Sequence, residues 1–318
     1  MKIGFIGLGN VGGKLAGTLL RNGYDLTVRD LNQNLEQTFS DQGAHIGANP
    51  GEIMRQVDLL ITCLPSPSAS AAVMEGDDGV LQSITPGKIW AEMSTTGALE
   101  VSRLGEKVAE AGGKPIDCPV SGGCHRAASG NISIFAGTER PTFEKVLPVL
   151  TTMGRRVLHT GPLGSASTLK VMTNYLASVN LASLGEALMT MRRAGIDLNT
   201  TFEAIRISSG NSFVHETESQ VILNGSRDVN FTMDLVVKDL SLFQDIANRA
   251  EVPLEISPLL LKIFKDGQSR YGGSEWSTNI VRRLEDACTE QLLAPGFPAD
   301  LVDDEPEVVG QEVVAKRP

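Results

Sequence analysis

Met1–Asp30 reads MKIGFIGLGNVGGKLAGTLLRNGYDLTVRD, a strand, a glycine turn, a helix and a second strand in thirty residues. Lys2 to Ile6 is a short apolar run, and Gly7-Leu8-Gly9-Asn10-Val11-Gly12 follows it at once. Leu15, Ala16, Leu19 and Leu20 share one helical face, Asn22-Gly23 stops the helix, and Asp25 to Val28 forms a strand that ends at Arg29-Asp30. Gly7 permits the tight turn, Gly9 lets the backbone approach a pyrophosphate, and Gly12 allows close helix–strand packing. The helix N-terminus offers free N–H groups and a positive dipole end to phosphates. Asp30 can accept both ribose hydroxyls of NAD. A bare GxGxxG is weak evidence, but strand, turn, helix, strand and acid in register point to dinucleotide binding. The cofactor-binding candidates here are Gly7, Gly9, Asn10, Val11, Gly12 and Asp30. Asp30 would repel the 2′-phosphate of NADP, so NAD is the expected cofactor. NADP is the alternative, because the Arg29 guanidinium could receive that phosphate; otherwise Arg29 is a solvated charge at a strand end.

Further along, Val57 to Leu64 reads as a buried strand ended by Pro65-Ser66-Pro67. In a doubly wound sheet such a strand end lies beside the cofactor, which makes Leu64 and Pro65 candidates. Another strand, Lys88 to Met93, ends at Ser94-Thr95-Thr96-Gly97, where hydroxyls suit either ligand contact or helix capping. Pro115 to Val120 then gives way to Ser121-Gly122-Gly123, a turn whose N–H groups can converge on a carboxylate. Taken alone, that turn is equally a plain loop. Cys124, His125 and Arg126 follow it, and strands at Ile132–Phe135 and Arg156–His159 close the domain near Gly161-Pro162.

Thr168 to Met191, TLKVMTNYLASVNLASLGEALMTM, is a long helix with apolar residues mostly three to four apart. Lys170 and Asn174 sit at i and i+4, on one face. Beyond it, Asn199–Ile207, Phe213–Leu223, Val236–Ala250 and Pro258–Asp266 read as amphipathic helices, and Lys238 and Asp239 interrupt an apolar stretch. The expected architecture is an α/β N-terminal Rossmann domain (1–162), a long interdomain helix (163–192) and an all-α C-terminal domain for substrate and oligomerisation (193–291). Residues 292–318, rich in Pro, Asp and Glu, are expected to form a flexible acidic tail.

At 318 residues the chain can bury two cores, and 41% hydrophobic with 21% charged residues is ordinary for a soluble protein. A net charge of −10 argues against nucleic acid as a partner. No apolar run approaches the ~20 residues of a membrane span, so no membrane partner is expected. MKIGFIGLG enters a strand without signal-peptide anatomy, and Cys63, Cys118, Cys124 and Cys288 lack pairing or metal spacing. A cytoplasmic protein without a metal is the expectation.

Four blocks in order, GFIGLGNVGGKLAGTLL, DCPVSGG, GPLGSASTLKVMTN and FTMDLVVKDL, resemble the β-hydroxyacid dehydrogenases, which include 3-hydroxyisobutyrate dehydrogenase and glyoxylate/succinic semialdehyde reductases. The resemblance covers Met1 to about Glu290. It implies that Ser121, Gly122 and Gly123 bind the substrate carboxylate, that Lys170 is the catalytic acid/base, and that Asn174 holds the substrate. It places Thr95 near the nicotinamide and Phe231, Lys238 and Asp239 around the pocket, with Lys238 on the cofactor side. It also implies a homodimer or homotetramer. Three features depart from the family pattern: Thr173 where an asparagine is common, Cys124-His125-Arg126 where small residues are usual, and the tail. Arg126 is therefore an open candidate, either a contact to a second anionic group or a solvent-facing charge.

The implied reaction oxidises a small β-hydroxy acid to its semialdehyde or oxo acid, or reduces the latter. NAD takes the hydride and neutral Lys170 takes the proton. Burial and a nearby nicotinamide cation should both lower the lysine pKa. Two alternatives stand: a reductase for an aldehyde acid with a sulfonate or second anionic group, as for sulfolactaldehyde or tartronate semialdehyde, and a non-catalytic dinucleotide-binding scaffold. An imine reductase is disfavoured by Lys170, and a 6-phosphogluconate dehydrogenase by the lack of a histidine after that lysine.

Overall fold

Strand Ile3–Ile6, β1 of the computed structural model (which describes residues 1–315), is buried at all four positions and lies between two parallel partners. Those partners are β2 (Leu26–Arg29) and β4 (Leu59–Thr62), and the sheet extends through β3 (His45–Ile46), β5 (Ile89–Glu92) and β6 (Lys114–Asp117). The parallel order is β6-β5-β4-β1-β2-β3, the doubly wound arrangement, with its reversal of direction between β1 and β4. Continuous apolar runs in β1, β4 and β5 follow from burial on both faces.

Three of the helices that cover this sheet, Gln33–Ser40, Pro50–Gln56 and Pro67–Glu75, start at side-chain caps. After α1 (Gly12–Arg21) and α2 (Gln33–Ser40), α3 (Pro50–Gln56) follows an Asn49 cap and α4 (Pro67–Glu75) a Ser66 cap, each with proline in the first turn. Leu15, Ala16 and Leu19 of α1 are wholly buried against the sheet, and α5 is Ala98–Glu110. The expected strands fall within a few residues of those observed. The two-residue β3 has no periodicity to announce it.

Past β6 the sheet changes character. β7 (Val120–Ser121) pairs antiparallel with β8 (Ile132–Gly137), which meets β6 through Asp117 and Gly137. Between β7 and β8 lies the short helix α6 (Gly123–Ala128), and α7 (Arg140–Met153) leads to β9 (Gly154–Gly161), parallel to β8. The chain resolves into two compact units: Met1–Lys170 together with the chain from Asp303, and Val171–Val302. α8 (Ser165–Arg193) begins in the first unit and continues into the second. The second unit is helical, with α9 (Leu198–Arg206), α10 (Phe213–Asn224), α11 (Met233–Arg249), α12 (Ile256–Tyr271) and α13 (Arg282–Cys288). Leu188, Ile222, Leu223, Met233, Leu240 and Phe264 form its core.

The acidic segment corrects one expectation. Rather than a flexible tail from residue 292, the chain packs. Leu292 is buried in the helical core, the Ala294 N–H bonds to the Leu223 carbonyl at 2.9 Å, and Phe297 meets Phe202 edge-on at 5.0 Å. From Asp303 it joins the first unit, where β10 (Gln311–Val313) adds a parallel strand to β9. Its acids find arginines: Glu305 lies 3.0 Å from Arg155, Glu307 3.0 Å from Arg21, and Glu312 2.5 Å from Arg140. An acidic composition lacks apolar area, but here it meets scattered cations and the open edge of β9, which offers unpaired backbone groups. Lys316–Pro318, the end of the expected tail, lie outside the described residues.

This attachment is pH-dependent. Burial acts to raise Asp303, but hydrogen bonds from Ser129 and Asn131 outweigh it and hold the carboxyl below its ordinary value; the Arg140 hydrogen bond does the same for Glu312. Folded values below unfolded ones mean stability that is full above the ordinary carboxylate range and lost as pH falls through the folded values. Hydrogen exchange of residues 303–313, corrected for intrinsic rate, should stay slow above about pH 5 and accelerate as pH drops below about 4. A flat protection profile from pH 6 to 3 would refute the ionic attachment.

Candidate active site

Close packing at the glycine turn begins with Gly7, whose φ of +98° excludes most side chains and whose added Cβ would lie 2.2 Å from the Cys63 carbonyl oxygen. A Cβ on Gly12 would lie 2.0 Å from the Gly7 carbonyl oxygen, so α1 can begin only where a glycine stands. Gly9 differs: nothing lies within 4 Å of its added Cβ, which leaves an open approach to its backbone. Asp30 secures this turn, accepting the Leu8 N–H at 2.6 Å and the Asn32 N–H at 2.8 Å. Arg29 is a paired charge, 31% exposed. Its Nη1 donates to the buried Glu36 carboxylate at 2.6 Å, and Glu36 also accepts the Asp30 N–H at 3.0 Å.

Next to the turn, the ends of β4 and β5 are tied together. Ser94 is buried and accepts the Leu64 N–H at 2.7 Å, while its own N–H donates to Glu92 at 2.8 Å. Ser94 thus caps no helix; it joins the segments that carry Leu64-Pro65 and Thr95. Burial raises the Glu92 carboxyl above its ordinary value, and the Ser94 and Ser70 hydroxyls pull it partly back. The same burial pushes the neighbouring Cys63 thiol up to about 12, so it is not a thiolate.

Ser121 ends β7, and the chain then turns through Gly122 at φ +130° and Gly123 at φ +86° into α6. A Cβ on Gly123 would meet the His125 ring at 2.8 Å, and one on Gly122 would lie 3.4 Å from Arg126 Cδ. His125 therefore packs over the turn, its imidazole pKa lowered by burial and by the Arg126 charge, with Asp303 acting in the opposite sense. Arg126 runs alongside the turn and pairs with Glu305 at 3.4 Å.

Four residues before Ser121, Asp117 does something the sequence did not announce. It is fully buried, and its two carboxylate oxygens accept the N–H groups of Gly164 and Ser167 at 2.8 and 2.7 Å. These belong to the start of α8, where backbone donors have no helical partner. Burial lifts the Asp117 carboxyl above its usual range, against those hydrogen bonds. Lys170 follows in the next turn of α8 and is 8% exposed. The only signal for Asp117 was its place in the DCPVSGG block, a polar residue closing an apolar strand.

Within the second unit, Asn174 Nδ2 donates to Asp239 Oδ2 at 2.5 Å, and Lys238 Nζ lies 3.0 Å from Asp239 Oδ1. Asp239 is 2% exposed, so it belongs to no solvated helix face. It fixes the Asn174 amide and balances Lys238. Phe231, half-buried, precedes the Thr232 cap of α11 and accepts the Ser277 N–H at 2.8 Å through its carbonyl. Among the described residues, no three His, Cys, Asp or Glu side chains gather as metal ligands would. No described helix is long and apolar enough to cross a membrane.

Comparison with known proteins agrees with these elements. Residues 2–161 match a family profile described as the NAD binding domain of 6-phosphogluconate dehydrogenase, and residues 164–284 match one described as NAD-binding of NADP-dependent 3-hydroxyisobutyrate dehydrogenase. The chain is 32% identical to 2-(hydroxymethyl)glutarate dehydrogenase of Eubacterium barkeri over 90% of its length and 95% of the relative's. It is 30% identical to the mitochondrial 3-hydroxyisobutyrate dehydrogenase of Rattus norvegicus, covering 83% of this chain and 81% of that one. A crystal structure of 3-hydroxyisobutyrate dehydrogenase from Salmonella typhimurium superposes with a TM-score of 0.81 at 27% identity, over 89% of this chain and 99% of the other.

Asp117→Asn is isosteric but presents an NH₂ to one of the two N–H donors. It should cost roughly 1–3 kcal/mol of stability for the buried group left unpaired. Urea unfolding with an unchanged m-value checks this, and an unchanged midpoint would show that the bonds to α8 contribute nothing.

Proposed function

The chain belongs to the β-hydroxyacid dehydrogenase family, NAD(P)-dependent enzymes acting on CH–OH, and from that premise we propose a reaction of the 3-hydroxyisobutyrate dehydrogenase type, in which a small β-hydroxy acid and its semialdehyde or oxo acid are interconverted with NAD as the preferred cofactor. One observation carries this reading. The buried amine of Lys170 sits one turn into a helix whose start is fastened by Asp117, and Asp117 leads within four residues to the Ser121-Gly122-Gly123 turn. A proton acceptor and a carboxylate cradle are thus built on one connected piece of the fold.

The glycine turn fits the cofactor, because the space over Gly9 is open where a diphosphate must approach the backbone. Bound there, NAD supplies the acceptor for the hydride that leaves the carbinol carbon. Ser121, Gly122 and Gly123 hold the substrate carboxylate. Lys170 Nζ takes the hydroxyl proton in oxidation and returns it to the oxygen in reduction, when negative charge builds there. Asn174, its amide oriented by Asp239, holds the substrate from the same helical face as Lys170. Thr95 is assigned to the nicotinamide side, Leu64 and Pro65 to contact with the cofactor, and Lys238 and Phe231 to the closing of the pocket.

The preference for NAD rests on two carboxylates. Asp30 stands at the end of β2, where it accepts ribose hydroxyls and repels a phosphate. Glu36 holds Arg29 at 2.6 Å, away from the role of phosphate ligand. The alternative substrate class, an aldehyde acid with a sulfonate or second anion, depends on Arg126, which here is paired with Glu305.

Lys170→Ala should lower kcat by ~10²–10⁴-fold with 3-hydroxyisobutyrate while leaving NADH affinity intact by fluorescence titration. Near-normal turnover would remove Lys170 from the mechanism. Asp30→Ala should weaken NAD and narrow its advantage over NADP in kcat/KM. A wild-type enzyme that already favours NADP would overturn the assignment of Asp30.

A further inference from the structure

The segment from Asp303 to Glu307 has no place in the chemistry above, yet it fastens on the helix that follows the carboxylate turn. Asp303 accepts hydrogen bonds from Ser129 Oγ, at the end of α6, and from Asn131 Nδ2 at 2.7 Å. Asn131 Nδ2 also donates to the Glu305 carbonyl at 2.9 Å, and the Asn131 N–H to the Arg126 carbonyl at 2.8 Å. Glu305 then spans two guanidinium groups, Arg155 at 3.0 Å and Arg126 at 3.4 Å. The backbone bonds fix where α6 ends; the Glu305 carboxylate fixes where the Arg126 charge goes.

Arg126 matters because of what it runs beside. Its Cδ lies 3.4 Å from the point a Cβ on Gly122 would occupy, so its stem passes the turn assigned to the substrate carboxylate. Its side chain is only 23% exposed, and a charge at that depth is screened less than one on the open surface. A long, rotatable cation beside a one-carboxylate cradle would ordinarily recruit a second anionic group on the substrate. Glu305 answers that charge from within the chain.

We propose that Glu305 is a specificity-determining residue: by pairing with Arg126 it withholds that cation from the Ser121-Gly122-Gly123 turn and so favours substrates with a single carboxylate. The inference rests on the reading of that turn as the carboxylate cradle. A substrate with a second carboxylate meets a neutralised pair and must displace Glu305 to gain a partner. Removing the Glu305 charge takes away the carboxylate that competes with the substrate for Arg126.

Glu305→Gln keeps the shape and removes the charge. With saturating NAD, kcat/KM is measured for 3-hydroxyisobutyrate, with one carboxylate, and for 2-(hydroxymethyl)glutarate, with two. The ratio of dicarboxylate to monocarboxylate should rise roughly tenfold, the size of one charge-assisted hydrogen bond, through KM rather than kcat. Glu305→Asp should restore the original ratio, and Arg126→Met combined with Glu305→Gln should erase the gain. An unchanged ratio in Glu305→Gln, a gain that survives without Arg126, or an equal loss on both substrates with a lowered Tm each overturns the proposal. Binding of glutarate and isobutyrate to the NADH complex, read by fluorescence, tests the same preference without turnover. A tenfold shift there in a protein that oxidises neither hydroxy acid would sustain the role of Glu305 and sink the proposed reaction. Oxidation of both with no shift would do the reverse.

Discussion

The carboxylate of Asp117 holds the first N–H groups of α8 from a position with no exposure to solvent, and much of the first unit is shaped to let it do so. A buried carboxylate is costly unless its oxygens are hydrogen-bonded, and here two backbone donors and the positive end of a helix answer it. The neighbouring strand yields to it: a Cβ on Gly137 would lie 2.4 Å from Asp117 Oδ1, so β8 passes close only as glycine. Because Asp117 ends β6, the sheet and the helix share one fixed point. Ser121 lies four residues along the chain from that point, and Lys170 three residues beyond Ser167. The two groups to which the chemistry is assigned therefore inherit their positions from a residue that touches neither proton nor hydride.

This explains which parts of the molecule were legible in the sequence. The glycine turn could be read because each of its constraints is local: Gly7, Gly12 and Asp30 act on atoms within a few residues or one strand away. The long helix could be read from its period, and the helical second unit from the same signal repeated. Asp117 could not, because its partners return 47 and 50 residues later and nothing in the spacing says so. Ser94 stood balanced between a cap and a ligand contact; it caps no helix, since its partner is a backbone N–H on the adjacent strand end.

The tail was misread for a related reason. Composition reports what a segment can bury by itself, and residues 303–313 can bury little. It does not report that Arg21, Arg126, Arg140 and Arg155, distant in sequence, will line up beside β9 and α6. A segment without apolar area can still be held when its charges meet partners and its backbone meets an open strand edge.

At both stretches assigned above to anion binding, an arginine is paired with a carboxylate of the chain. Arg29 is held by Glu36 at the end of β2, and Arg126 by Glu305 beside the Ser121-Gly122-Gly123 turn. The two pairs are not equivalent. Glu36 is 5% exposed, seven residues from its partner and 2.6 Å away; Glu305 is 39% exposed, reaches across 179 residues and stops at 3.4 Å. A short pair on a buried carboxylate resists both salt and competition, while a longer one on a half-exposed carboxylate yields to either. Under the proposed reading, selectivity at the cofactor end is therefore built to be firm, and selectivity at the substrate end to be adjustable by a single remote carboxylate. A tail that departs from the family pattern is a physically reasonable place for that adjustment, because it can change without disturbing the glycine turn, Asp117 or Lys170.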